Sequence, residues 1–94
     1  MIHELSLLLS IDRSIKTPIY QQLCEKVRNL ANTGRIEEGR LMPATRVLAD
    51  ALEVSRSTVI TAYEQLVAEG YLEARPGAGF TLSSTSNLEL LNDD

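Results

Sequence analysis

A single cysteine, Cys24, and a single histidine, His3, occur among the 94 residues of this sequence. One cysteine excludes an internal disulfide and supplies no cluster of thiolates for a zinc ion. His3 has no second histidine beside it, so we expect no metal site. The adjacent acids Glu37 and Glu38 have no base or nucleophile paired with them. We find no catalytic constellation and expect the protein not to be an enzyme.

Long apolar runs are also missing, and none approaches the roughly 20 residues that cross a bilayer. The leucine-rich N-terminus has no basic segment before it and no small-residue cleavage site, unlike a secretory signal. We therefore expect a soluble, cytoplasmic protein. The chain length suits one small domain, and 44% hydrophobic residues beside 23% charged residues predict that it folds. Its core should be thin, with a net stability of roughly 5 kcal/mol.

An excess of basic residues is lacking as well. Nine basic and thirteen acidic residues give a net charge of −4. DNA-binding domains usually present a basic face, because neutralising phosphates supplies most of their affinity. Part of the deficit lies at the C-terminus, where Glu89, Asp93 and Asp94 have no basic residue near them. If this domain binds DNA, its few arginines must share one face, and alone it should bind weakly.

The most informative pattern that is present runs over residues 48–63. A short apolar helical pattern stops at a turn, Glu53-Val54, and a longer pattern restarts after Ser55, which is a good N-cap. The buried stripe of this last helix is expected to be Val59, Ala62, Tyr63, Leu66 and Val67. Two helices around a tight turn indicate a helix-turn-helix, whose second helix has a polar face that can lie in the DNA major groove.

An earlier helix is predicted over residues 18–33. Thr17 supplies a capping hydroxyl, Pro18 occupies the first helical position, and Gly34 ends the helix in the left-handed conformation. Helix 2 should begin near Thr45. The residues expected to face inward from helix 2 are Leu48, Ala51 and Leu52. The loop residues expected to tuck under the domain are Ile36, Leu41 and Met42.

Strands are predicted at both ends of the chain. Alternating apolar residues over 5–11 indicate a short N-terminal strand, and residues 71–75 and 80–83 form a hairpin around Pro76-Gly77-Ala78-Gly79. Three helices followed by this wing predict a winged helix-turn-helix, mainly α with a small β-hairpin. We divide the chain into a strand and connector (1–17), the winged helix-turn-helix (18–82), and a Ser/Thr-rich linker or tail (83–94).

Several short segments between about residues 7 and 82 form a combination far more specific than any one of them. They are Pro18-Ile19-Tyr20-Gln21-Gln22-Leu23, Gly34-Arg35-Ile36, Pro43-Ala44-Thr45-Arg46, Val54-Ser55-Arg56-Ser57-Thr58-Val59, Ala62-Tyr63-Glu64-Gln65-Leu66, Ala68-Glu69-Gly70-Tyr71-Leu72 and Gly77-Ala78-Gly79. This combination resembles the GntR family of bacterial transcription regulators. The leucine strand before Asp12-Arg13, the Ala62-Tyr63 pair and the Arg75-Pro76-Gly77 wing are most similar to its MocR (PdxR-like) subfamily.

The resemblance implies sequence-specific binding of double-stranded DNA, with a recognition helix at about residues 56–69 in the major groove. In MocR proteins a linker joins this domain to a large domain of aminotransferase fold that binds pyridoxal phosphate. That domain is outside this sequence, so no cofactor is expected here, and a monomer or weak homodimer is expected. An excised domain and a short stand-alone protein stay open as alternatives. A winged-helix module that binds proteins instead of DNA is the rival function, and acids around the recognition helix would favour it.

Three positions depart from the family pattern. Glu53 stands where such turns usually have glycine, and Ile60 stands where many relatives have arginine. Phe80 comes one residue earlier than the aromatic that usually follows the wing glycines, and a shift of one residue turns a strand side chain to the other face.

Arg56 is the first candidate for DNA contact, because an arginine at the start of the recognition helix can donate two hydrogen bonds to guanine. The alternative is a solvated surface arginine. Ser55, Ser57 and Thr58 place hydroxyl and backbone N–H groups where a phosphate can bind. The alternative for Ser55 is a cap alone. Thr61 lies one turn further along the same face.

Helix 2 and the wing supply the remaining candidates. Arg46 resembles the arginine with which the family clamps the DNA backbone, and a salt bridge to Asp50 is the competing interpretation. Thr45 can cap helix 2 and touch the same phosphate. The wing candidates are Arg75, Gly77 and Gly79. Glycine lets the backbone approach a groove closely, although a tight turn alone explains it equally well.

Overall fold

The computed structural model describes residues 9–35, 37 and 39–83 of the chain. Its helices are α1 (Ile19–Asn32), α2 (Thr45–Leu52) and α3 (Arg56–Ala68), and its strands β1 (Leu72–Arg75) and β2 (Gly79–Leu82) form an antiparallel hairpin. The expected winged-helix fold is therefore confirmed. Within these residues no helix is long and apolar enough to span a membrane.

The N-terminal strand that the leucine alternation predicts falls mainly on residues outside the described part. Its last residues are described, and Leu9 and Ile11 are not in a strand. Leu9 is fully buried and Ile11 packs against the same core. The segment thus contributes apolar side chains to the domain.

One core lies between the three helices and the hairpin. Its buried residues are Leu9, Leu23, Cys24, Val27, Leu30, Met42, Leu48, Ala49, Val59, Ala62, Tyr63, Leu66, Leu72 and Leu82. The helical members recur at the spacing that places them on one face of each helix. The predicted stripe of α3 is correct for Val59, Ala62, Tyr63 and Leu66, while Val67 is only partly buried.

Tyr63 joins α3 to the two segments on either side of it. Its ring meets Phe80 edge-on, with centroids 5.0 Å apart and an interplanar angle of 66°. Its hydroxyl donates a buried hydrogen bond of 2.7 Å to the carbonyl of Pro43, just before α2. Burial raises the pKa of this phenol, so it stays protonated and donates. Phe80 therefore faces the core together with Leu82, two residues further along β2.

All three helices end in the same way. In each, the N–H after a left-handed residue donates to a carbonyl five residues earlier: Arg35 to Leu30 at 2.8 Å, Val54 to Ala49 at 3.0 Å, and Tyr71 to Leu66 at 2.9 Å. This is the Schellman motif, which usually has glycine at the left-handed position. The three left-handed residues are Gly34, Gly70 and Glu53, with φ values of 74°, 86° and 57°. For Glu53 this conformation costs about 1–2 kcal/mol.

The helix starts differ from expectation in two places. Ser55 caps α3 as predicted, accepting a 3.2 Å hydrogen bond from the N–H of Thr58. Pro18, with ψ of 147°, is itself the N-cap of α1, so the prediction that Thr17 caps this helix is wrong: Thr17 lies one residue too early.

Helix α2 likewise has no side-chain cap. Its N-cap is Ala44, so Thr45 is the first helical residue and the prediction that Thr45 caps α2 is wrong. The predicted inward position of Ala51 is also wrong, because Ala51 is exposed and Ala49 is buried beside Leu48. Successive residues lie about 100° apart on a helix, so Ala51 falls outside the stripe that these two residues define.

The segment before α2 runs alongside β2. The N–H of Met42 donates to Phe80 at 2.8 Å and the N–H of Leu82 donates to Arg40 at 2.9 Å. Side chains alternate along such an extended segment: Met42 is 3% exposed, and Leu41 is 53% exposed. The prediction that Leu41 tucks under the domain is therefore wrong, that for Met42 is correct, and Ile36 lies outside the described residues.

An ion pair links α1 to the end of α3. The Arg28 guanidinium donates to both carboxylate oxygens of Glu69, at 2.7 and 2.9 Å, and Gln65 donates to the same carboxylate at 2.7 Å. These hydrogen bonds, that of Arg28 first, hold the pKa of Glu69 below its ordinary value. The pair is partly exposed, so its contribution to stability is modest, at most about 1 kcal/mol.

Replacing Tyr63 by Phe removes the donor to the Pro43 carbonyl and leaves this carbonyl unsatisfied in the core. We expect the free energy of unfolding to fall by about 1–3 kcal/mol, measured by urea denaturation. Tyr71→Phe is the matched control, because the Tyr71 hydroxyl makes only a long, exposed contact of 3.4 Å with Asn32. It should change stability by less than about 0.5 kcal/mol. Equal losses in the two variants would contradict the assigned role of Tyr63.

The Arg28–Glu69 pair predicts a pH dependence of stability. Because the pKa of Glu69 is lower in the folded state, its stabilisation is present above the unfolded pKa of about 4.3 and is lost as the pH falls through the folded value. Glu69→Gln should therefore have a lower free energy of unfolding than wild type at pH 7, and this difference should shrink as the pH is lowered to 3. Urea denaturation repeated over this pH range measures the difference. Glu25→Gln, which removes an exposed carboxylate of α1, is the control. An equal difference at every pH would exclude the pair as the cause.

Candidate nucleic-acid interface

Three hydroxyl groups cluster at the start of α3. Ser55 Oγ lies 2.7 Å from Thr58 Oγ1 and 3.1 Å from Ser57 Oγ. Ser55 and Ser57 are exposed and Thr58 is half-buried. The first N–H groups of a helix have no intrahelical acceptor, and its dipole favours negative charge there. The structure therefore brings these three predicted residues together in an arrangement suited to an anionic oxygen.

Arg56 is exposed and lies beside the start of α2. Its Nε donates to Thr45 Oγ1 at 3.4 Å, a long contact that tethers the side chain weakly. This guanidinium makes no other hydrogen bond or ion pair within the described part of the chain. Its remaining donors are thus directed to solvent, and Arg56 and Thr45 meet although eleven residues separate them.

Arg46 is exposed on α2, one residue after Thr45. The competing salt bridge to Asp50 does not form: the ion pairs found among residues 9–35, 37 and 39–83 are Arg28–Glu69 and Arg75–Glu73. The charge of Arg46 is therefore available to an external anion. Thr61 is exposed on α3 as predicted, and Ile60 is half-buried beside it.

A shallow groove separates the start of α1 from the exposed face of α3. It is lined by Pro18, Ile19, Tyr20, Ser57, Thr58 and Thr61. The sequence did not predict that the start of α1 lies beside α3. A local sequence pattern does not indicate which distant segment packs next to a helix. Tyr20 thus lines the same groove as three of the predicted contact residues, Ser57, Thr58 and Thr61.

The wing has the predicted turn, but its arginine, Arg75, pairs within the hairpin and does not project from it. Gly77 and Gly79 have φ of 78° and 101°, and a Cβ on Gly77 would meet no atom within 4 Å. Backbone conformation, not crowding, thus requires glycine there. Arg75 pairs with Glu73 at 2.9 Å and its Nε donates to Thr81 Oγ1 at 3.4 Å. Its guanidinium therefore lies back along the hairpin.

The charge of the described residues is close to balance. All nine basic residues lie in this part of the chain, together with eight of the thirteen acids. The exposed acids near the candidate surface are Asp50 and Glu53, toward the end of α2, and Glu64 on α3. The start of α2 and the start of α3 carry Arg46 and Arg56. Glu53 precedes Arg56 by only three residues, so exposed basic and acidic side chains share this surface.

Three helices, an exposed α3 start that carries hydroxyls and an arginine, and a glycine-tipped hairpin define a winged helix-turn-helix domain. The chain belongs to the gntR family of bacterial regulatory proteins, whose family model matches residues 19–82. No group of three or more potential metal-ligating side chains occurs within the described ranges.

Two curated regulators are similar to most of this chain. The chain is 46% identical over 72 residues to the probable rhizopine catabolism regulatory protein MocR of Rhizobium meliloti, covering 77% of this chain and 15% of that protein. It is 42% identical over 72 residues to the pyridoxine biosynthesis transcriptional regulator PdxR of Corynebacterium glutamicum, covering 77% of this chain and 16% of that protein. The similarity to the MocR subfamily is thus confirmed, and the chain spans about 15% of the length of these relatives.

Solved structures share the fold. YtrA from Sulfolobus acidocaldarius, a GntR-family transcription factor, superposes with a TM-score of 0.78 at 32% identity, covering 90% of this chain and 89% of that chain. The AraR DNA-binding domain in complex with operator ORE1 superposes with a TM-score of 0.67 at 27% identity, covering 78% of this chain and 89% of that chain.

Proposed function

We propose that this chain is a sequence-specific, double-stranded DNA-binding domain of a bacterial transcription regulator. One observation carries the proposal: the start of α3 presents Arg56 and a hydroxyl cluster outward, next to the unpaired Arg46 of α2. A helix in the major groove reads bases with its first residues while the preceding helix braces the backbone. The likeness to a domain solved with its operator supports this orientation.

The proposed roles follow from chemistry and position. Arg56 reads a base edge, because its Nη donors suit guanine O6 and N7. Ser55, Ser57 and Thr58 hold a phosphate at the start of α3, and Thr61 continues along the groove. The second phosphate contact consists of Arg46 with Thr45, at the start of α2.

The wing is assigned to the adjacent minor groove. The backbone of Gly77 and Gly79 allows a close approach to DNA, and Arg75 supplies the charge. Because Arg75 pairs with Glu73 in the free protein, it must exchange this contact for a phosphate or a groove edge. The wing therefore adds less affinity than an unpaired arginine would.

We further propose that the chain acts by binding alone, in the cytoplasm, as neither an enzyme nor a pyridoxal phosphate protein. Its two lysines, Lys16 and Lys26, are both exposed, so neither offers the enclosed amine that a Schiff base to this cofactor needs. An absorption titration with pyridoxal phosphate should show no saturable site. Helix-turn-helix dimers in general bind two half-sites about 34 Å, or one helical turn, apart.

The two arginines should fail in different ways when replaced by alanine. A duplex selected by the wild-type chain from a random pool and an unrelated duplex are compared by fluorescence anisotropy at several salt concentrations. Arg56→Ala should lose about 1–3 kcal/mol on the selected duplex and little on the other. Arg46→Ala should weaken both similarly and reduce the salt slope by about one.

Lys26→Ala is the matched control, because this exposed base of α1 lines a different groove. It should leave the preference for the selected duplex unchanged. No change of preference in Arg56→Ala would reject base reading by that residue. A wild-type chain without salt-dependent duplex binding would instead favour the rival function, a protein-interaction module.

The oligomeric state follows from the same proposal. We expect the chain alone to be a monomer or a weak homodimer, because in the described part the large exposed apolar side chains are Ile15, Leu41 and Val47, which lie in three different segments. Static light scattering over a range of concentrations measures this state. A dimer that persists at the lowest concentration would contradict the expectation.

A further inference from the structure

Among the described helix ends, the one between α2 and α3 is closed without glycine. Gly34 and Gly70 occupy the left-handed position after α1 and α3, and Glu53 occupies it after α2. Glutamate disfavours this conformation because its Cβ crowds the following carbonyl. The turn that sets α3 against α2 therefore needs a stabilising contact that the other two do not.

Arg13 supplies such a contact. Its Nη2 atom donates to the carbonyl of Leu52 at 2.9 Å and to the carbonyl of Glu53 at 2.6 Å. Each Nη carries two hydrogens, so one nitrogen can serve both acceptors. The last carbonyls of a helix lack intrahelical partners, and a cation there is favoured by the helix dipole. Arg13 thus binds the peptide groups on both sides of the Glu53 Cα, one joining Leu52 to Glu53 and the other joining Glu53 to Val54.

The backbone around Arg13 is itself fixed to α1. Gln22, which is 5% exposed, accepts from the N–H of Asp12 at 2.8 Å and donates to the carbonyls of Asp12 at 2.9 Å and Thr17 at 2.8 Å. Asp12 in turn accepts 2.9 and 2.6 Å hydrogen bonds from the backbone N–H and hydroxyl of Ser14. The connector therefore presents Arg13 from a defined position.

We propose that Arg13 is a positioning residue for DNA recognition, acting through the α2–α3 turn. Its guanidinium keeps Glu53 in the left-handed conformation, and this conformation aligns Arg46 and Thr45 of α2 with the start of α3. This role rests on the proposed DNA binding. The alternative use of the same side chain is a direct phosphate contact, and the experiment separates the two.

The test uses the full chain in four variants: Arg13→Ala, Lys16→Ala, Glu53→Gly, and Arg13→Ala combined with Glu53→Gly. Lys16 is exposed in the same connector and makes no hydrogen bond or ion pair in the part of the chain that is described, so its removal measures the loss of charge alone. Glycine at position 53 removes the steric reason for the clamp. If Arg13 acts through the turn, its replacement should matter little in the Glu53→Gly background.

Amide hydrogen exchange reports on the turn without DNA. The N–H of Val54 closes the α2 end, and the N–H of Tyr71 closes the equivalent end of α3. Relative to Tyr71, exchange at Val54 should be about tenfold faster in Arg13→Ala, since a hydrogen bond to a charged group is lost. This exchange ratio should be unchanged in Lys16→Ala, and it should return toward the wild-type value when Glu53→Gly is combined with Arg13→Ala. Parallel changes at Val54 and Tyr71 would overturn the proposal.

DNA affinity gives the second readout, on the duplex selected by the wild-type chain. Relative to wild type, Arg13→Ala should weaken DNA binding about fivefold more than Lys16→Ala does. Relative to Glu53→Gly alone, the double variant should bind only about twofold more weakly, or less. An equal loss in both backgrounds, with the salt slope reduced by about one, would assign Arg13 to a phosphate instead. Failure of the wild-type chain to bind duplex would refute the proposed function, and the exchange ratio would still decide whether Arg13 closes the turn.

Discussion

The arrangement of the candidate interface depends on the turn between α2 and α3. Its closing hydrogen bond, from the N–H of Val54 to the carbonyl of Ala49, forms only while Glu53 keeps a positive φ. Once this bond is made, the buried Ala49 allows α2 to approach the adjoining helix closely. The contact between Arg56 and Thr45 spans the starts of the two helices and follows from that geometry. The left-handed conformation of one residue, Glu53, thus determines how side chains that are distant in sequence lie beside each other.

Helix α3 connects the core to the surface. Its buried side anchors the wing through Tyr63 and Phe80 and fixes the segment before α2 through the carbonyl of Pro43. Its first turn carries the hydroxyls and arginine that remain outside. Because one rigid helix carries both the buried core side chains and the exposed interface side chains, the packing of the core fixes where the interface side chains lie. The partly exposed Arg28–Glu69 pair reinforces the far end of the same helix.

The repeating patterns of the sequence predicted the helices, the hairpin and the α3 stripe, since these depend on local spacing. Some errors were local shifts of one or two residues, and others arose where a tertiary contact decides. Thr17 lost its expected capping role because Pro18 is the boundary residue, and Leu41 points outward because its segment pairs with β2. Of the site, the placement of Arg56 and the serines was predictable from the cap at Ser55. The partners of Arg13 and Gln22 were not, because hydrogen bonds across 39 and 10 residues leave no periodic signal.

The lack of a positive net charge, −4 over the full sequence, has a consequence for how such a domain searches a genome. Weak attraction to phosphates shortens each residence on unrelated sequence, since nonspecific affinity is almost wholly electrostatic. Rapid dissociation speeds the search for a site but leaves the affinity for any single site low. Tethering two such modules restores it, because the second docking event becomes intramolecular and avidity multiplies. Under the proposed DNA-binding function, a domain of this electrostatic character would therefore gain most affinity from being linked to a second copy.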